Sequence, residues 1–409
     1  MAWAGGDGEP AGHERPHAAA ASSRLRRGRP RPVEQGRWHH LRVQAARATR
    51  GGARGRRGAC LFYDEGAVER AGVVPPPLAW LLFGRGAVHG LDDEDHARRK
   101  ELLVAAVRSL DLDELAEDVR LRVTARLSGL PGGRIEVFDT LATAYGAAVL
   151  HSAGIDLPAD ESRRWSRRMA AVVDGFGFSP AAYARGCRER ARLDRWAAAL
   201  VCDARAGRTR TPRGGVFDVL AGSDLDHRTA GIELLNVLRP TVAVAWLGAF
   251  ALLALDAAPE WRERLADPAG EEERLAFAQE VRRTTPFVPL LAGRARRAAS
   301  HDGVPVEPGD RVVLDVLGID RDPMVYPHPH LFRPARFLGR TPSAYDLVPQ
   351  GGGPLRGHRC PGEDVALRLM SSTLRAASQR PLEVVSSRAV AASRVPTLPA
   401  GGLVLARQR

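Results

Sequence analysis

The stretch "LVPQGGGPLRGHRCPGEDVALRLM", Leu347 to Met370, sets one cysteine in a glycine-rich, basic loop and follows it at once with an amphipathic helical pattern. A thiol just ahead of a helix start meets unpaired amide hydrogens and the positive end of that helix, and both favour thiolate over thiol. Cys360 has this placement. Pro361, at the first turn, lacks an N–H that would be orphaned anyway. Gly362 lets a flat group approach the backbone, and Glu363 to Met370 are expected to turn as a helix. An isolated cysteine near a cap is by default a small buried apolar residue; the density of glycine around this one favours a ligand role.

The chain of 409 residues, 44% hydrophobic and 26% charged, can bury a large core, which excludes an intrinsically disordered protein. Its cysteines, Cys60, Cys187, Cys202 and Cys360, are scattered without a CxxC pair, so neither a zinc cage nor a disulfide scaffold is indicated. A reducing cytoplasm fits best. The net charge of +12 is concentrated in residues 1–59, which are rich in Arg, Gly and Ala, and the only lysine is Lys100. That segment lacks apolar periodicity, so it reads as unstructured or as a GC-rich frame read out of register, with the globular body over 60–409. The longest apolar run, Val242 to Leu255, is too short to span a bilayer and reads as a buried core helix.

From "LFYDEGAVERAG", beginning at Leu61, a helix is readable. Helical periodicity then predicts a succession of elements: Asp93 to Leu110, Asp113 to Leu127, Phe138 to Ala153, Asp160 to Phe176 and the long segment Arg228 to Leu255. After Thr285 the pattern turns to short β-rich runs. "VPVEPGDRVVLDVLG" predicts strands joined by a turn at Pro308-Gly309, and "PLEVV" with "GGLVLARQR" predicts a late sheet. The fold class is mainly α with a small β part.

Three segments upstream support a ligand role for Cys360. "EVRR" places Glu280 and Arg283 three apart on one helix face, where they can share a charge-assisted bond. "FRPARF" carries Arg336. The central helix "RTAGIELLNVLRPTVAVAWLGAFALLAL" carries Arg239-Pro240, and Arg239 is the only charge between Glu233 and Asp256. Buried unpaired, it would cost several kcal/mol, so it needs an anion. Pro240 removes a backbone bond and is expected to kink the helix locally.

The cysteine loop, the ExxR pair and the Pro-rich segment, in this order, resemble the cytochrome P450 superfamily over roughly residues 60 to 405. The resemblance implies the P450 fold, haem b (iron protoporphyrin IX) with Cys360 as iron ligand, and a Glu-Arg-Arg cluster of Glu280, Arg283 and Arg336. The lengthened loop "PQGGGPLRGHRC" and Arg239-Pro240 are similar to the fatty-acid peroxygenase and decarboxylase branch, in which the Arg holds a fatty-acid carboxylate. In "LLFGRGAVHGLDDEDHARRK" the branch implies an aromatic wall residue at Phe83 and a residue above the haem at His89. His96, Lys100 and Arg359 are implied propionate contacts, and Phe287, Val288, Val173 and Phe176 are implied channel residues.

For activity, the resemblance implies hydroxylation of long-chain fatty acids at Cα or Cβ, driven by hydrogen peroxide, with decarboxylation to terminal alkenes as a further outcome. Arg239, Pro240 and His89 would form the catalytic set, the substrate carboxylate serving as general base. No redox partner would be required. One rival is a monooxygenase fed by a redox partner. Another is a non-catalytic protein, either an inactive haem binder or one binding nucleic acid through residues 1–59; no nucleic-acid role is expected.

Overall fold

A computed structural model describes residues 52–53, 55–129, 133–177, 179–209, 214–285, 287–386, 388–390, 395–396, 398–399 and 402–408. The expected helices form within one or two residues of their sequence boundaries, as Asp93–Arg108, Leu112–Ser128, Val137–Ser152, Ala159–Asp174 and His227–Ala257. Local chemistry fixes several starts. Asp111 accepts from the amides of Asp113 and Glu114, Glu136 from those of Phe138 and Asp139, and Asp226 from those of Arg228 and Thr229.

Two readings of the N-terminal part need correction. Helix Gly55–Phe62 crosses the expected boundary at residue 60, so Leu61 lies at the end of a helix rather than its beginning. Gly52 and Ala53 already pair with Val313 and Leu314 in a sheet. The rest of the Arg-rich segment, residues 1–51 and 54, lies outside the described residues.

The strands are β1 (Gly52–Ala53), β2 (Val68–Glu69), β3 (Arg134–Glu136), β4 (Leu290–Ala295), β5 (Ala299–His301), β6 (Val304–Val306), β7 (Arg311–Asp315), β8 (Leu382–Val384) and β9 (Val404–Arg407). They form sheets ordered β1-β7-β4-β2, β3-β9-β8 and β5-β6. The predicted turn is present, with Gly309 at φ +87°, yet β6 and β7 do not pair. Instead β6 pairs with β5 and β7 with β4, because the chain crosses from one sheet to another at Pro308-Gly309. The late sheet forms as expected from β8 and β9, with β3 added at its edge.

The core is built on the central helix His227–Ala257, most of whose residues are buried. It alone among the described residues is long and apolar enough to cross a bilayer, and it is wrapped by other helices. Close packing needs small residues at the crossings. A Cβ on Gly248 would lie 2.7 Å from Leu141 Cδ1 and 2.8 Å from Tyr145 Oη. The C-terminal helix Glu363–Ser378 packs against the same core, and Tyr145 Oη and Thr373 Oγ1 share a buried hydrogen bond of 2.6 Å. The helix launched from Cys360 is thereby fixed relative to the helix carrying Arg239.

Candidate active site

Arg239 sits mid-way along the central helix and is only 5% exposed. Its Nη2 donates to Asn236 Oδ1 at 3.1 Å and its Nε is buried without a hydrogen-bond partner. Among the described residues no carboxylate pairs with it. Burial, with the nearby Arg190 charge as a second cause, pulls its pKa down to about 9, so it stays cationic at neutral pH. A buried cation with an unused donor is the physical signature of an anion site. The helix is continuous through Pro240, whose missing N–H leaves the Asn236 carbonyl without its helical partner. Thr241, two residues further on, donates its hydroxyl to the Val237 carbonyl at 3.0 Å and is committed to the backbone.

His89 lies in the short 3-10 turn Val88–Gly90, between the helices Pro76–Leu82 and Asp93–Arg108. Its ring stacks on Phe83 at 4.1 Å and 9°. The residue keeps open surface, yet protein crowds its ring closely enough that burial dominates its ionisation. Burial first, then Arg239, Lys100, His358 and His96, push its pKa to about 3. His89 is therefore neutral, and the same causes place Arg239 and the residues around Cys360 within electrostatic reach of one ring.

The Cys360 amide donates to the Gln350 carbonyl at 3.0 Å, closing the loop, and Gly351 (φ +91°) and Gly353 (φ +77°) supply the left-handed turns this requires. Burial raises the thiol pKa above its ordinary value, while the Gly362 N–H and Lys100 pull the other way. The helix-start effect read from the sequence is present but outweighed by burial.

Around this loop lies a concentration of cations and donors. Lys100 Nζ donates to the Arg359 carbonyl, and His96 stacks on His358 at 4.0 Å. Burial, then His358 and Lys100, lower the His96 pKa to about 4. The Arg70 guanidinium lies 3.6 Å over the Phe62 ring, with Nη1 buried and unpartnered, as is Tyr63 Oη. Donor atoms of Glu65, His96 and His358 approach within 4.8 Å of one another, but Lys100 and Arg70 make the neighbourhood suit anions rather than a second cation. Arg359 departs from expectation: its guanidinium binds Glu363 at 2.7–2.8 Å instead of standing free for a propionate. Glu363 is held in turn by Arg282 Nη2 at 2.6 Å. Sequence reasoning passed over Arg282, although the doubled Arg of "EVRR" was the available signal.

Arg283 donates from Nε and Nη2 to Glu280 at 2.7 and 2.8 Å, and Arg336 Nε reaches the same carboxylate at 3.2 Å. All three charges are buried or nearly so. Arg283 also donates to the carbonyls of Asp320, Pro329 and Leu331, tying the helix Glu271–Thr284 to the loop beyond it. The implied channel residues are less concentrated. Phe287 meets Trp246 of the central helix edge-on at 5.9 Å, Val288 and Phe176 are half-buried in loops, and Val173 is buried in the main core.

The residues fit an iron porphyrin. Cys360 offers the metal ligand, Lys100, Arg70, His96 and His358 form a rim able to hold porphyrin carboxylates, and the orphaned Arg70 Nη1 and Tyr63 Oη are donors awaiting such acceptors. A family model described as Cytochrome P450 matches residues 276–377, which span the Glu280 helix through the Cys360 loop. The chain is 31% identical to the solved cytochrome P450SP alpha (CYP152B1), covering 86% of this chain and 89% of that one at a TM-score of 0.78. It is 28% identical to cytochrome P450 OleT, solved in complex with arachidonic acid as its F79A variant, covering 87% of each chain at a TM-score of 0.81. A Mycobacterium tuberculosis protein named as cytochrome P450 137 is 28% identical over 324 residues, 72% of this chain and 67% of its own length.

Proposed function

We propose, for a chain that belongs to the cytochrome P450 family and to its fatty-acid peroxygenase and decarboxylase branch and is thereby a haem-thiolate oxidoreductase, that it oxidises long-chain fatty acids with hydrogen peroxide at Cα or Cβ. The observation that carries this reading is Arg239, a buried guanidinium without a carboxylate partner among the described residues. A fatty-acid carboxylate would accept from Nε and the adjacent Nη, the fork geometry that arginine provides and lysine does not.

When bound, haem supplies the oxidising centre, with Cys360 as its thiolate ligand. Arg239 positions the substrate by its head group, so oxidation falls on the carbons next to the carboxylate. The Thr241 hydroxyl is bonded to its own helix, and His89 is neutral and stacked, so neither stands as an ionised base. The substrate carboxylate would take that part: held by Arg239, one oxygen would accept a proton from the peroxide and give it to the oxygen that leaves as water when the O–O bond breaks, the other oxygen ending as the hydroxyl of the product. His89 and Phe83 wall the space in which the Cα and Cβ hydrogens lie, which is where hydroxylation and decarboxylation to an alkene would be divided. A cytoplasmic setting accords with cysteines that are all free.

Purified holoprotein given palmitic acid and hydrogen peroxide is expected to form 2- and 3-hydroxy acids, with or without the terminal alkene, and no NADPH or reductase should be needed. Turnover only with a reductase would establish the redox-partner reading instead.

A further inference from the structure

Glu233 lies fully buried nearly two turns before Arg239 and makes contacts to three elements at once. Its Oε1 accepts from the Val88 amide at 2.9 Å and from Arg99 Nη1 at 2.8 Å. Its Oε2 accepts from Asn236 Nδ2 at 3.0 Å. Asn236 then turns its Oδ1 to Arg239 Nη2 at 3.1 Å. Arg99 also donates to the Gly86 carbonyl at 3.1 Å, so the turn bearing His89 is held at its entry, at Gly86 and at Val88.

The direction of these bonds is decisive. A carboxylate only accepts, so Asn236 must present its NH2 to Glu233, which leaves its carbonyl oxygen for Arg239. We propose that Glu233 is a positioning residue: through Asn236 it sets the orientation of the Arg239 guanidinium toward the substrate carboxylate, and through Val88 it fixes the His89 turn against the same helix. With an amide at position 233, the side chain would offer an NH2 to Asn236, and the Asn236 amide would rotate to meet it. Its own NH2 would then face Arg239, donor against donor, and Arg239 would swing away. This role of Glu233 rests on the carboxylate reading of Arg239.

The test compares palmitic acid with 1-hexadecanol by isothermal titration calorimetry on haem-loaded protein, in the native chain, Glu233→Gln and Glu233→Asp. The native protein is expected to bind the acid at least about tenfold more tightly than the alcohol; equal binding would overturn the Arg239 reading and the role of Glu233 with it. Given that preference, Glu233→Gln, close to isosteric, should lower acid affinity about tenfold while leaving alcohol affinity and the ferrous carbon monoxide spectrum unchanged. Glu233→Asp, which keeps the all-acceptor character, should restore part of the preference. If Glu233→Gln retains the full preference, or if it loses acid and alcohol equally, the role of Glu233 is overturned while that of Arg239 stands.

Discussion

A guanidinium in an apolar helix is tolerable only beside an anion or a strong acceptor, and among the described residues Arg239 has a single side-chain acceptor, the Asn236 amide. Its replacement by Ala should therefore lower kcat/KM for fatty acids by a factor corresponding to about 2–5 kcal/mol, and Arg239→Lys should recover little because one ammonium cannot grip both oxygens. Steady-state kinetics on palmitic acid with peroxide measures both. For His89 the pKa near 3 lies below its ordinary value, so the ring gains a proton only as pH falls toward 3. Between pH 5 and 8 the native rate profile should show no step that disappears in His89→Gln, although the hydroxy-acid to alkene ratio should move; a step lost with the imidazole would show that it titrates in use. Cys360→Ser should keep the fold and lose the thiolate signature of the ferrous carbon monoxide spectrum.

Among the elements, the central helix does most to place the site, because its Gly positions let neighbouring helices approach. Adding a methyl group at Gly248 brings it within 2.7 Å of Leu141 Cδ1 and against Tyr145 Oη, which also bonds Thr373 of the helix that follows Cys360. Gly248→Ala should cost about 1–3 kcal/mol by overpacking, read as a lowered thermal midpoint with substrate affinity changed less than stability. The 3.6-residue periodicity made this helix legible, with ends within two residues of those observed, since its apolar run is long and Asp226 caps it. The short strands were less legible. Alternation in "VPVEPGDRVVLDVLG" showed that β6 and β7 exist, but each pairs with a different strand, and a few hydrogen-bonded residues leave no record of their partner in local sequence.

Across the molecule, the Glu280 carboxylate joins the helix Glu271–Thr284 to the segment of Arg333 and Arg336, accepting from the Arg333 amide at 2.7 Å besides the two guanidiniums. Glu280→Ala leaves two buried or nearly buried arginines without their counter-charge, and the expected loss of about 3–5 kcal/mol should appear as poor haem retention and a much lower unfolding midpoint. A variant that unfolds at the native temperature would show the cluster to be dispensable. Two charge clusters, Glu280-Arg283-Arg336 and Arg282-Glu363-Arg359, leave from this one helix, and the second ties it to the start of the helix behind Cys360.

Chemical type and order were readable along the chain: a cysteine before a helix, a Glu and an Arg three apart, an arginine alone in an apolar helix. Each rests on short-range physics, namely helix periodicity, capping and the cost of burying a charge, and so survives in a one-dimensional string. Partner choice did not survive there. That Glu363 is also gripped by Arg282 from 81 residues away, that Glu233 reaches back 145 residues to the Val88 amide, and that His89 is held neutral by burial and by Arg239 all depend on which surfaces close on one another. Desolvation and hydrogen-bond direction are properties of packed neighbours, and those neighbours exist only once the helices have been brought together.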